Sequence, residues 1–284
     1  MRKQKSYAAD APPALYLVPT PIGNLQDMTL RAIEALKGAD YVFAEDTRVT
    51  KVLLSHFNIM TTVYSYHAFN EETQSQKIID FLRAGKTVAL VSDAGLPGVS
   101  DPGYYVTRKA LDEGFCVVAL PGANAALTAL VASGLPSERF YFYGFLNHRK
   151  SQKRKELEKL AFCEDTLIFY EAARRVVETA EMICQILGNR DVVIARELTK
   201  VHEEYIRGKV KDVIPELSGI KGEIVIIVKG AEKSPMQEML NKKTIAEHYE
   251  HYLRLGLSSM EAVKAVAKDR GVAKSDIYKN VRGD

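Results

Sequence analysis

The chain has 284 residues, 46% of them hydrophobic and 26% charged, with a formal net charge of +3. That is an ordinary globular composition, long enough for about two domains, and it excludes collagen-like, coiled-coil and wholly disordered chains. No apolar run approaches the ~18 residues of a bilayer span, and the basic start MRKQKSYAADAPPA has no apolar stretch behind it, so neither a membrane helix nor a signal peptide is expected.

The first half alternates β-rich runs with helical spacing. Leu15–Pro19, Tyr41–Ala44, Thr87–Val91 and Cys116–Leu120 read as strands. Met28–Leu36, Thr47–Ser55, Glu71–Arg83 and Tyr104–Glu113 read as helices between them. Strands alternating with helices imply βαβ units and a parallel sheet, and strands apolar on both sides imply helices on both faces. Pro121-Gly122 ends this pattern, so a first α/β domain is placed at 1–120. A second, at 121–232, has strands at Phe140–Tyr143, Thr166–Tyr170, Val192–Arg196, Glu203–Arg207 and Glu223–Val228. The short turns there predict a partly antiparallel sheet. Residues 233–284 read as a helical extension: a helix over Pro235–Leu255, a second opened by the capping signal at Ser258–Glu261, and a third over Lys274–Val281 after Gly271. Tight turns between short helices resemble a helix-turn-helix.

Charge is uneven. Residues 233–284 hold ten Lys/Arg against seven Asp/Glu, and Arg149, Lys150, Lys153, Arg154 and Lys155 precede any acid in their segment. Such patches fit a polyanionic partner or an ordinary solvated face. The cysteines, Cys116, Cys163 and Cys184, lack metal-ligand spacing; two of them sit in apolar runs and read as buried thiols, and the protein is expected to be cytoplasmic. No GxGxxG follows the first strand, Gly85-Lys86-Thr87 lacks the earlier glycine of a phosphate loop, and His248/His251 lack a third ligand, so no metal is expected.

Three Gly/Pro-rich loops follow the carboxyl ends of predicted strands: residues 18–25, 92–103 and 121–126. Open α/β sheets bind ligands at that edge, so a ligand site is placed there, with Asp93 and Asp101 able to grip hydroxyl or ammonium groups. Polar clusters mark other strand ends: Glu45-Asp46-Thr47-Arg48, His67–Asn70, Tyr170-Glu171 and Arg196–Lys200. Helix capping, a structural histidine and a simple ion pair are the alternative readings.

The segments LYLVPTPIGNL, FAEDTR, SDAGLPGVSDPG, PGANAALTAL, SGLPSERFYFYGFL and ARELTK, in order across about residues 14–230, resemble the ribosomal RNA small-subunit methyltransferase I family of the tetrapyrrole-methylase superfamily. The resemblance implies two α/β domains with S-adenosylmethionine between them, a homodimer, and methylation of a cytidine ribose 2′-oxygen in the decoding region of 16S rRNA. Departures are Asn147, where the family often has proline, and Ala172 and Ala173 after Glu171. On this resemblance Pro21, Gly23, Asp93, Ala94, Gly95, Pro121, Gly122 and Asn124 are expected to build the cofactor pocket. Arg48, Arg196 and Lys200 are expected to hold phosphate or a developing alkoxide. Asp46, His67, Glu171 and Glu197 are the base candidates. Arg149, Lys150, Lys153, Arg154, Lys155 and the lysines of the helical extension are expected to grip rRNA or the small subunit. A methylase of small tetrapyrrole-like substrates and a non-catalytic RNA-binding assembly factor are the competing readings.

Overall fold

The computed structural model describes residues 4, 13–232 and 235–282. Five parallel strands, β1 (Ala14–Val18), β2 (Tyr41–Ala44), β3 (Thr62–Ser65), β4 (Val88–Val91) and β5 (Cys116–Ala119), form the first sheet in the order β3-β2-β4-β1-β5. Alternate residues face opposite sides of the sheet. Val18, Val42, Ala89 and Val91 pack with Ala32, Leu36 and Leu54 of α1 (Leu30–Gly38) and α2 (Thr47–His56). Leu15, Phe43, Val88 and Leu90 pack with Ile78, Ile79, Leu82, Val106 and Ala110 of α3 (Glu71–Arg83) and α4 (Tyr104–Asp112). Both faces are covered, which is why the strands are apolar throughout.

Helix α5 (Ala125–Ser133) leads into the second sheet and lies on it. That sheet contains β6 (Phe140–Phe145), β7 (Thr166–Ala172), β8 (Asp191–Arg196), β9 (Glu204–Lys209) and β10 (Glu223–Val228), in the order β6-β7-β10-β8-β9. Only β6 and β7 pair in parallel; the other neighbours are antiparallel. Helices α6 (Lys150–Leu160) and α7 (Val176–Ile186) cover one face through Leu157, Leu160, Ala180 and Ile183. Helix α5 covers the other through Ala126, Ala129 and Leu130. A one-turn helix, α8 (Val210–Val213), follows β9.

From the sequence no helix is expected at α5, α6 or α7. Helix α5 is apolar nearly all round, with Leu127 and Val131 exposed opposite its buried face. Helix α6 hides its stripe in charge: the inward positions are Lys153, Leu157 and Leu160, at helical spacing.

The expected single helix over Pro235–Leu255 is two, α9 (Pro235–Asn241) and α10 (Ile245–Arg254). Thr244 starts the second with a full capping box, its hydroxyl accepting from the Glu247 amide while the Glu247 carboxylate accepts from the Thr244 amide. Helices α11 (Ser259–Arg270) and α12 (Lys274–Arg282) complete the module around Val263, Val266, Ala267 and Ile277. Its polar centre is buried His248, whose Nε2 lies 3.2 Å from Asp269 and whose Nδ1 faces Arg270 Nε at 3.2 Å.

Candidate active site

At the carboxyl edge of the first sheet the loops after β1 and β4 are zipped together. The Thr20 amide donates to the Gly95 carbonyl (2.9 Å) and the Gly95 amide to the Thr20 carbonyl (3.0 Å). The Thr20 hydroxyl adds a bond to the Ser92 carbonyl (3.0 Å). The loop after β1 then meets the loop after β8. The Asn24 amide donates to Thr199 Oγ1 (3.0 Å), and a Cβ on Gly23 would stand 2.5 Å from Lys200 Cγ. Gly23 is thus required for close approach of the two halves. Gly122 is similar: a Cβ there would fall 2.3 Å from Pro19 Cγ.

Between the halves lies a cavity of about 510 Å³, within the range of small-molecule sites. Asp93, Ala94, Gly95 and Asn124 line it, as expected of a pocket at that edge. Pro21, Gly23, Pro121 and Gly122 are not among its lining residues; the two glycines serve the packing just described. Asn124 also caps α5, its side-chain oxygen accepting from the Leu127 amide (2.9 Å). Asp93 fixes the entry to α2 by accepting from the Asp46 amide (2.9 Å). The second half contributes Phe145, Tyr170, Leu198 and residues 222–225.

The wall carries negative charge. Glu45 and Asp101 line the cavity beside Asp93. Burial, then the Asp93 charge, pushes the Glu45 carboxyl up. Burial, then the charges of Glu45 and Asp93, pushes Asp101 up to about 6. His67 faces Glu45 electrostatically, and its Nδ1 is buried with no hydrogen-bond partner among the described residues.

Several sequence-level assignments change. Asp46 caps α2 and pairs with Arg48 at 2.7 Å; that guanidinium holds its carboxyl near 2, far too acidic for a base. Arg48 itself is 89% exposed outside the cavity lining. Glu171 lines the cavity but its side chain is buried and held: Oε1 accepts from the Ala172 amide (2.8 Å) and Arg175 Nε (2.7 Å), and Oε2 from the Thr179 hydroxyl (2.6 Å). Arg196 shares its strand face with buried Ile194, opposite the cavity side occupied by Val193 and Ala195, and pairs with Glu204 at 2.5 Å. Glu197 accepts from Lys200 Nζ and the Glu223 amide, both at 3.0 Å, and these bonds, the backbone one foremost, hold its carboxyl low. Lys200 also reaches the cavity-lining Glu223 at 2.9 Å, so it sits at the rim.

Arg149, Lys150, Arg154 and Lys155 are exposed on α6 or at its cap. Lys153 is not. It is fully buried, donating to the Thr179 hydroxyl (2.8 Å) and pairing with Glu178 (3.3 Å) and Glu171 (3.8 Å), so it has no access to RNA.

Tyr170, marked above with Glu171 at a strand end, lines the cavity, whereas sequence reasoning missed Phe145. The signal was Gly144: the register of β6 on β7 shifts between Phe142 and Gly144, and this bulge re-aims Phe145 to the cavity. Phe145 meets the Tyr170 ring edge-on at 5.5 Å.

A family model described as Tetrapyrrole (Corrin/Porphyrin) Methylases matches residues 14–214. Ribosomal RNA small subunit methyltransferase I of Halalkalibacterium halodurans is 51% identical, with 98% of each chain covered. That of Bacillus subtilis is 48% identical over 98% of this chain and 97% of its own. Among solved structures, the methyltransferase CobJ superposes with a TM-score of 0.59 at 20% identity, covering 77% of this chain and 95% of its own. Uroporphyrin-III C-methyl transferase from Thermus thermophilus, in complex with S-adenosylhomocysteine, gives 0.55 at 21% identity, covering 76% and 97%. The cavity suits such a cofactor: apolar walls at Ile22, Leu96, Val99 and Leu198 stand beside carboxylates that complement its sulfonium and ammonium charges. The chain therefore belongs to the ribosomal RNA small subunit methyltransferase I family within the tetrapyrrole methylases, and is an S-adenosylmethionine-dependent methyltransferase.

Proposed function

We propose that this chain methylates the ribose 2′-oxygen of a cytidine in the decoding region of 16S rRNA, acting on the small ribosomal subunit in the cytoplasm as a homodimer. The observation that carries the reaction type is Asp101, a cavity-lining carboxyl lifted to about 6. A 2′-hydroxyl is a weak acid and a poor nucleophile, and a base that titrates near neutrality is suited to it. S-adenosylmethionine supplies the methyl group and its own leaving group. Asp101 accepts the hydroxyl proton as the oxygen–methyl bond forms and the carbon–sulfur bond breaks, leaving S-adenosylhomocysteine, methylated RNA and protonated Asp101. Asp93 and Glu45 keep the site negative, opposite the cationic donor. Lys200, paired with Glu197 and cavity-lining Glu223, is the cation proposed to hold a phosphate of the acceptor.

The RNA reading over a tetrapyrrole-like substrate rests on the exposed basic residues Arg149, Lys150, Arg154 and Lys155, which follow directly on cavity-lining Phe145. Replacing Arg154 and Lys155 by Ala is expected to flatten the log–log salt dependence of rRNA binding by about 0.7–0.9 for each phosphate no longer neutralised. An unchanged slope, measured by filter binding across a salt series, removes this patch from the interface.

The reaction is tested with labelled S-adenosylmethionine, small subunits and naked rRNA from cells lacking the protein, and nuclease mapping of the label. Label on one cytidine 2′-oxygen is the expected result. Cofactor binding without label on either RNA overturns the proposal in favour of another acceptor, and no cofactor binding overturns it in favour of a non-catalytic factor.

A further inference from the structure

Large aromatic rings stand exposed on segments next to the cavity, and one of them, Phe145, lines it. Phe69, between β3 and α3, is 100% exposed; Tyr104, at the start of α4, is 77% exposed; Phe145, at the end of β6, is 54% exposed. Contacts between neighbouring residues join the segments that carry them to the cavity edge. Phe69 contacts His67 edge-on at 6.2 Å, and His67 faces the cavity carboxylate Glu45. Two residues beyond Phe69, the Glu71 carboxylate accepts from the amide of Gly103, the neighbour of Tyr104 (3.2 Å). Ser100 and Asp101, just before Gly103, line the cavity, and a Cβ on Gly144, the neighbour of Phe145, would stand 3.0 Å from Ser100 Oγ.

Burying an aromatic ring is among the larger stabilisations open to a chain, so rings left more than half exposed beside a cavity point to a partner. The charge next to Phe145 says which. From Phe145 the chain runs within five residues into exposed His148, Arg149 and Lys150, and Arg154 and Lys155 follow on α6. Aromatic faces beside cations that can follow a phosphate backbone are the footprint of a single-stranded nucleic acid, whose unstacked bases stack on the rings. An acidic cavity suits the cationic donor but repels phosphates, so the strand is held at the rim and only the target nucleoside enters.

Resting on the methyltransferase reading above, we propose that Phe69 and Tyr104 form a stacking platform for unpaired bases flanking the target, so that the enzyme takes its RNA as an opened, single-stranded segment. Recognition by stacking would accept any base at these positions and reject a duplex, in which the faces are already covered.

The test uses the full chain and an oligoribonucleotide of about 12 nucleotides carrying 2-aminopurine, alone and annealed to its complement. The single strand should bind with quenching of the fluorophore, and the duplex should not. Phe69→Ala is expected to weaken single-strand binding about 5- to 150-fold and Tyr104→Ala by a factor in the same range, the equivalent of removing one base–aromatic stack each. Phe69→Trp should retain it. The salt slope should not move, because no charge is removed, and S-adenosylmethionine affinity by calorimetry should stay at the wild-type value, showing an intact fold. Unchanged single-strand affinity in both Ala variants overturns the platform. So does an equal loss on duplex, or a fall in sedimentation mass, which would assign the rings to self-association. If wild-type protein shows the stacking signature but methylates no small-subunit rRNA, the platform stands and the acceptor assignment fails. Methylation with normal binding by both variants is the reverse.

Discussion

Asp101→Asn is expected to lower the methyl-transfer rate about 10²- to 10⁴-fold, the usual contribution of a positioned general base. Wild-type single-turnover rates should rise with pH through about 6 and then level, following deprotonation of a carboxyl raised by burial and by Glu45 and Asp93. The variant should lose that limb while still binding cofactor. The sign on stability runs the other way. A carboxyl raised in the fold binds its proton more tightly there than in the unfolded chain, so its contribution to stability is greatest below the ordinary aspartate range. It declines as pH rises to about 6 and stays low above it. Asp101→Asn should therefore raise Tm at pH 7.5 (a pH chosen about 1.5 units above that titration). It should leave Tm near the wild-type value in acid. A variant with full activity, or with the acid limb intact, removes Asp101 from the base role.

Lys153→Met is expected to destabilise the fold by about 3–5 kcal/mol, the range for removing one partner of a buried ion pair. The ammonium is fully buried, and its removal strips Glu171, Glu178 and Thr179 of a shared donor. Differential scanning calorimetry should show Tm lower by roughly 6–20 °C for a chain of this size. The salt slope of RNA binding, measured below the transition, should be unaltered. A small Tm change together with a flattened slope would return Lys153 to the RNA interface.

The contrast between Lys153 and its neighbours shows what the sequence made legible. A run of cations invites a solvated or RNA-facing reading, but position 153 shares the buried stripe of Leu157 and Leu160, and that spacing was present in the sequence. Its partners on β7 and α7 were not, because contacts between distant segments leave no local pattern. The strands of the parallel sheet were legible because both-face burial makes them continuously apolar. The site's edge was legible from the Gly/Pro loops, and Asp93 and Asn124 were found there. Arg196 failed on alternation: one residue separates the cavity face from the opposite one, and a motif read as a block ignores that period. Asp101 was noticed as a polar group of the loop, but its raised pKa depends on Glu45 and Asp93 converging across the sheet edge, which only the fold supplies. The extra helix break at Thr244 was written as a Thr-x-x-Glu capping box inside a stretch whose helical periodicity runs on either side of it.

The two halves are joined beside the cavity by the Asn24–Thr199 bond, and they approach closely at Gly144, where an added Cβ would stand 3.0 Å from Ser100 Oγ. In energetic terms the chamber is pre-organised. A hinged cleft spends part of each ligand's binding free energy on closing, and its apparent affinity is discounted by the fraction of molecules already closed. Here the Asn24–Thr199 bond already joins the two halves. Bound groups enter a vessel where the approach of the two halves depends on the clearance at Gly23, so their binding energy remains available for aligning the methyl group with its acceptor.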